Sequence, residues 1–109
     1  MAGYYELSKT AKAQFHFVLK AGNHEVILSS ELYESKAAAE NGIASVQKNG
    51  ADASKFASET AKNGKFYFNL KAGNGQIIGS SQMYDSEAGR DKGIASVQAN
   101  AASSTIKES

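Results

Sequence analysis

Cysteine, proline and tryptophan are absent from these 109 residues. Without cysteine there can be no disulfide framework, no thiolate zinc site and no thiol nucleophile. Histidine is scarce: His16 and His24 are the only two, and no carboxylates are spaced around them as a ligand set would require. A dominant charge is missing too, because 12 Lys and Arg face 11 Asp and Glu. That balance creates no field that would single out nucleic acid or anionic lipid. No apolar run approaches membrane-spanning length, and the opening MAGYYELSKTAK lacks the apolar stretch of a secretion signal. A cytoplasmic, soluble protein with no membrane partner is the expectation.

Catalytic signatures are equally sparse. There is no P-loop and no G-x-S-x-G elbow, and the Ala72-Gly73-Asn74-Gly75 segment joins two strands rather than opening a helix that could hold phosphate. No cofactor is expected. Ser29, Ser30, Ser80 and Ser81 have no histidine at a partner spacing. Glu34 and Asp85 keep their charge in equivalent places, but each precedes a helix start, where a carboxylate stabilises the dipole.

What the chain does have is a duplication. Phe15-His16-Phe17-Val18-Leu19-Lys20-Ala21-Gly22-Asn23 returns as Phe66-Tyr67-Phe68-Asn69-Leu70-Lys71-Ala72-Gly73-Asn74, displaced by 51 residues. Gly42-Ile43-Ala44-Ser45-Val46-Gln47 returns as Gly93-Ile94-Ala95-Ser96-Val97-Gln98 at the same displacement. Upstream, Ser8-Lys9-Thr10-Ala11-Lys12 answers Ser58-Glu59-Thr60-Ala61-Lys62, which requires a one-residue length change in the following turn. Repetition on this scale organises the whole chain. The expected division is one domain over 1–109, with repeat one at 3–52 and repeat two at 53–109.

Each repeat reads as three strands and a helix. Phe15, Phe17 and Leu19 alternate with His16, Val18 and Lys20, the period of a half-buried strand, and Phe66, Phe68 and Leu70 repeat the pattern. Tight hairpins are expected at residues 21–24 and 72–75. A two-residue turn would put Val26 and Leu28 on the phenylalanine face. A three-residue loop with position 24 or 75 left-handed would put Ile27 and Ser29 there. Identity between repeats favours the second, since Ile27 and Ser29 return as Ile78 and Ser80 while Leu28 becomes Gly79.

Helices are expected to start after Ser35 and Ser86 as N-caps, with Asn49-Gly50 a left-handed C-cap of the first. Ala39, Ile43 and Val46 form the buried stripe of the first helix. Arg90 replaces Ala39 in the second, so that stripe is expected to lean on Ala88, Ile94, Ala95 and Val97. Gly42 and Gly93 inside the helices suggest close backbone approach at both places. One repeat alone carries too thin an apolar set to offset the entropy of ordering its chain. No flexible linker separates the copies. The expected fold class is therefore α+β: two tandem βββα-type repeats forming one pseudo-two-fold antiparallel sheet, with both helices packed on one face.

The doubled pattern F-x-F-x-L-K-A-G-N, I-x-S-S-x-x-Y-x-S and G-I-A-S-V-Q-x-N closely resembles the YegP-like family of small bacterial proteins, in its duplicated subfamily. The resemblance covers nearly the whole chain. It implies tandem units in a single sheet, with the strand after each helix crossing to the other unit. On that pattern residues 55–58 both close the first unit and open the second, and residues 104–107 close the second. It implies no activity or catalytic residue.

Polar residues retained in both repeats are the candidate partner surface: Lys20, Asn23 and Tyr33, with Lys71, Asn74 and Tyr84 at the equivalent places. Two matching patches about a pseudo-dyad would follow. A simpler reading gives Asn to the turn, Tyr to packing beside the helix start and Lys to a solvated edge. The function expected is a small non-enzymatic binding or interaction module acting through the sheet face that the helices leave bare, which carries His16, Tyr67, Asn69 and the two lysines. Single-stranded nucleic acid would suit lysine and tyrosine on a sheet, but the charge balance argues against it. A structural subunit or self-associating protein that pairs through strand edges is one alternative. A small-metabolite enzyme is the other, disfavoured because no catalytic constellation is visible.

Overall fold

The computed structural model describes residues 3–108, so residues 1, 2 and 109 of the expected span lie outside the described residues. Strands β1 (Tyr4–Lys9), β2 (Phe15–Lys20) and β3 (Val26–Ser30) precede helix α1 (Lys36–Asn49). After a 3-10 turn at Ala53–Lys55 come β4 (Phe56–Thr60), β5 (Phe66–Lys71), β6 (Ile77–Ser80), helix α2 (Glu87–Asn100) and β7 (Ile106–Glu108). Among the described residues seven strands form one sheet in the order β4-β5-β6-β3-β2-β1-β7. The repeats join where β3 runs antiparallel to β6, with Ser29 opposite its own counterpart Ser80. The pseudo-dyad passes through that pair.

Every strand pair is antiparallel except β1 with β7, which is parallel. Residues ahead of β7 are tied to the start of β1: Ser103 Oγ donates to Gly3 O at 2.7 Å and Tyr5 N–H to Thr105 O at 2.9 Å. The final strand therefore enters beside β1 from the same end. As expected, the strand after α1 joins the second repeat and the strand after α2 returns to the first.

Alternation decides which residues are buried. Phe17, Leu19, Phe68 and Leu70 are fully buried on the helix-bearing face, together with Tyr5, Ile43, Val46 and Val97. They belong to one apolar cluster drawn from both repeats. Both helices lie on this face, and each touches strands of both repeats. Ser35 and Ser86 cap the helices as expected, their hydroxyls accepting from Ala38 N–H at 3.1 Å and Gly89 N–H at 3.0 Å.

The hairpins are three-residue loops with position 24 or 75 left-handed, at φ 71° for His24 and 84° for Gly75. His24 holds this conformation with its ring edge-on to Tyr4 and its Nδ1 3.0 Å from the Tyr4 hydroxyl. The expected placement of Ser29 is overturned, however. Leu19 faces Leu28 and Lys20 faces Val26, so Ile27 is an extra residue in a β-bulge. Ile27 and Leu28 are both buried, while Ser29 turns outward against Val18. Repeat two bulges identically at Ile78.

Gly79 replaces Leu28 because the two meet near the dyad. A Cβ on Gly79 would stand 3.0 Å from Leu28 Cγ and 2.8 Å from Ser29 O, so this space holds one leucine and not two. Gly50 has a parallel explanation. It is not the left-handed C-cap expected, since its φ is −66°. A Cβ there would collide with the Cβ of Ala101, the equivalent residue at the end of α2, and lie 2.7 Å from Val46 O.

Two further expectations are corrected. Strand registers pair Leu7 with Phe17 and Ser58 with Phe68, so Leu7 and Ser58 are equivalent and no length change is needed. Both following loops close identically, Thr10 N–H to Gln14 O and Ala61 N–H to Lys65 O at 2.7 Å each. Ala88 and Ala95 are exposed. The inner face of α2 instead carries Gly93, Ile94 and Val97, with Arg90 only 11% exposed and its guanidinium 5.7 Å from the Phe66 ring centre.

Exchange of the dyad pair tests this packing. Gly79→Leu alone should destabilise by about 1–3 kcal/mol through overpacking, and Leu28→Gly alone by about 2–5 kcal/mol through cavity formation. Combined, they should be more stable than the sum of the singles by about 1–3 kcal/mol. Strict additivity in denaturant titrations would show that the two sites do not share one space.

Candidate functional site

Tyr33 and Tyr84 are fixed by their backbones. Each forms a two-way bridge to the strand that opens its repeat's core, Tyr33 with Phe15 at 2.7 Å in both directions and Tyr84 with Phe66 at 2.7 and 2.9 Å. Their rings lie parallel to Phe17 and Phe68, with interplanar angles of 10° and 11°. Gly42 and Gly93 supply the space for this arrangement. A Cβ at Gly42 would stand 2.7 Å from Tyr33 Cζ, and one at Gly93 2.7 Å from Tyr84 Cζ. The approach expected at these glycines is real, but what approaches is a tyrosine ring rather than another backbone.

Two clefts open beside these rings, and each is built from both repeats. The first, about 180 Å3, is lined by Ala21, Asn23, Glu25 and Ile27 of repeat one and by Gln82, Tyr84, Gly89, Lys92, Gly93 and Ser96 of repeat two. The second, about 300 Å3, takes Ala72, Asn74, Gln76, Ile77 and Ile78 from repeat two and Glu31, Tyr33, Ala38, Asn41, Gly42 and Ser45 from repeat one. Every lining residue of the first has its 51-residue counterpart in the second. A broader depression of about 590 Å3 continues from the second cleft over Lys48, Asn49, Asp52, Lys55 and Gly73.

The floors are nearly alike and the rims are not. Ala21, Asn23, Ile27, Tyr84, Gly93 and Ser96 recur unchanged, whereas Gly89 corresponds to Ala38, Glu25 to Gln76, Gln82 to Glu31 and Lys92 to Asn41. The first rim thus carries one acid and one base, the second one acid and no base. These charges reach the tyrosines. Burial raises the Tyr33 phenol above its ordinary pKa, and the Glu31 carboxylate adds to the rise. Burial also raises Tyr84; the Gln82 amide opposes in part and Glu25, from the other repeat, adds to the rise.

Of the six candidate surface residues, the structure brings Asn23 to Tyr84 and Asn74 to Tyr33, each pair drawn from different repeats. Both asparagines also build their turns: Asn23 Oδ1 accepts from Glu25 N–H at 3.1 Å and Asn74 Oδ1 from Gln76 N–H at 3.0 Å. Lys20 and Lys71 lie on the opposite face of the sheet, in register with Val26 and Ile77. Lys20 Nζ is 3.3 Å from Glu6 and 5.9 Å from the Tyr4 ring centre.

That bare face is largely paired with itself. His16 Nδ1 lies 3.2 Å from Ser8 Oγ, and Ser80 Oγ donates to Asn69 Oδ1 at 2.6 Å. Lys107 Nζ sits 4.4 Å from the Tyr4 ring centre. Ser30 and Ser81 are structural, accepting from Phe17 N–H at 2.9 Å and Phe68 N–H at 3.0 Å. Gln47 donates to Ser103 O at 2.9 Å. Sequence reading missed Glu25, Lys92 and the pair Ser45 and Ser96. Ser45 and Ser96 do carry a signal, since they recur at the common displacement on the helix turn after Gly42 and Gly93. Among the described residues no group of three or more His, Cys, Asp or Glu could hold a metal ion, and no helix is long and apolar enough to cross a membrane.

Comparison with known proteins agrees with the doubled architecture. A family model, Domain of unknown function (DUF1508), matches residues 11–56 and again 61–108. UPF0339 protein YegP of Escherichia coli O157:H7 is 62% identical over 108 residues, covering 99% of this chain and 98% of its own. A UPF0339 protein of Acinetobacter baylyi is 58% identical over 99% of this chain and 97% of its own. The solution NMR structure of E. coli yegP, described as a protein of unknown function, superposes with a TM-score of 0.94 at 61% identity, covering 99% of this chain and 93% of that one. A UPF0339 protein from Shewanella oneidensis superposes at 0.93, also at 61% identity, with 99% and 92% covered.

The cross-repeat construction of the first cleft has an electrostatic signature. Glu25→Gln should lower the pKa of Tyr84 while leaving it above the ordinary phenol value, because burial is the larger cause. NMR titration of the Tyr84 ring carbons reads this directly. An unmoved Tyr84 would place Glu25 outside the cleft.

Proposed function

The chain belongs to the DUF1508 family, in doubled form, and on that footing we propose that it is a non-enzymatic binding protein whose contact sites are the twin clefts. The single observation behind this reading is the matched lining. Ten positions from each repeat form the same concavity twice, with a common floor and rims that differ in charge. Side chains needed only for turns or packing would not have to assemble into a concave surface with polar groups converging on an aromatic wall, which is how small-ligand sites are built.

Their size and lining fit small polar molecules or single side chains of a larger ligand. Glu25 and Lys92 give the first cleft complementary charges for a zwitterion or an amide-rich group. The second, with Glu31, Gln76 and Asn41, suits a cation such as an amine. Both histidines support the non-catalytic part of the reading, since neither lines either of the twin clefts and each is engaged with a neighbouring hydroxyl, Ser8 for His16 and Tyr4 for His24. The protein is taken to act as a single domain in the cytoplasm.

Titrating the isotope-labelled chain with pooled small amines, amino acids and amides tests the proposal. Chemical-shift changes should centre on Asn23, Gly93 and Ser96, and on Asn74, Gly42 and Ser45. Carrying the second rim onto the first by Glu25→Gln, Gln82→Glu and Lys92→Asn should shift the ligand preference of the first cleft toward amines. Changes confined to His16, Tyr67 and Lys71 would move the site to the bare sheet face and overturn the assignment.

A further inference from the structure

The two edges of the sheet are not equivalent, and their difference defines an interaction surface. β7 covers the outer edge of β1, setting Ile106, Lys107 and Glu108 beside Tyr5, Glu6 and Leu7 in parallel register. Symmetry would place a matching strand beside β4. The segment that would supply it, following α1, has itself become β4, so joining the repeats uses up the covering strand. β4 ends the sheet. Its first N–H, on Phe56, is taken by Ala53 O. Because Tyr5 N–H points outward to β7, the amides of Leu7 and, by equivalence of register, Ser58 also point outward.

The covered edge shows what the bare one would accept. Glu108 of β7 forms an ion pair with Lys36 at the start of α1, and Lys107 lies between Glu6 in register and the Tyr4 ring. At the corresponding sequence positions in repeat two stand Glu87 for Lys36, Ala57 for Glu6 and, in the 3-10 turn just ahead of β4, Lys55 for Tyr4. An acid in the third position of an added strand would face Glu87. A lysine in the second position would lose both its partners and meet Lys55. Only the first position is unchanged in character, an aliphatic side chain against half-buried Phe56 in place of Tyr5.

We propose that the outer edge of β4 binds an extended protein segment, parallel to β4, with the order aliphatic–acidic–basic. This order inverts the charges of Ile106-Lys107-Glu108, so it also disfavours the tail of a second copy at this edge. β-strand addition of this kind takes its affinity from main-chain hydrogen bonds and its selectivity from alternate side chains. None of the β4 residues lines the twin clefts, so binding at this edge is independent of what the clefts hold.

Two peptides of identical composition make the test. One reproduces residues 103–108; the other carries Lys107→Glu and Glu108→Lys. Titrated into the labelled full chain, the exchanged peptide should perturb the amides of residues 57–60 and bind about two- to fivefold more tightly than the native order, the scale of one exposed ion pair. Glu87→Lys should abolish or reverse that preference. Ser58→Pro removes an outward-pointing N–H and is compatible with an edge strand; it should abolish binding by both peptides while the β5 and β6 amides keep their positions. Equal affinity for both peptides, preference for the native order, or shifts that leave β4 untouched would each overturn the proposal.

Discussion

Pairing of β3 with β6 is the constraint on which the rest of this molecule depends. It sets Ser29 against Ser80, makes one sheet of two repeats and brings both sets of phenylalanines under both helices. A dyad through a covalent duplication also imposes a steric rule, because equivalent side chains near the axis must share the same space. Two serines fit. Two leucines do not, so the Leu28 side chain packs over Gly79. At the helix ends Gly50 meets Ala101 under the same restriction. These departures from repetition mark where the copies touch.

The same geometry makes the clefts. Tyr33 and Tyr84 can lie flat between a strand phenylalanine and a helix only because that helix carries glycine at the point of contact. Each ring then stands at the mouth of a concavity whose opposite wall is the hairpin of the other repeat. Pairing through β3 and β6 supplies that wall, so neither cleft exists in one repeat alone. Shared floors follow from duplication, and rim charges are free to diverge because they face solvent rather than the core.

Much of this was legible in the amino-acid order. The 51-residue displacement, the alternation of Phe15, Phe17 and Leu19, the serine caps and the left-handed residue 24 are local signals, and local physics decides them. What escaped has a common cause in contacts across the dyad or against a neighbouring element. Gly79 in the place equivalent to Leu28 looks like relaxation at an outward position, yet it reflects crowding on the inward side, after a bulge at Ile27 that no turn residue announces. Gly50 has the sequence of a left-handed cap and the task of a close contact. Ser8 and Ser58 align by identity but not by register. The candidate site was half visible: Asn23, Tyr33, Asn74 and Tyr84 stood out by repetition, but their pairing across repeats is a property of the sheet order. Lys20 and Lys71 repeat just as faithfully and lie on the other face.

Equilibrium denaturation of the full chain, followed residue by residue by NMR, tests most directly whether the repeats form one cooperative unit. Amide signals of Leu19 and Ile43 should be lost at the same denaturant concentration as those of Leu70 and Ile94, in a single transition. Distinct midpoints for the two sets would mean that each repeat holds its own core, and the shared sheet would no longer account for the fold or its clefts.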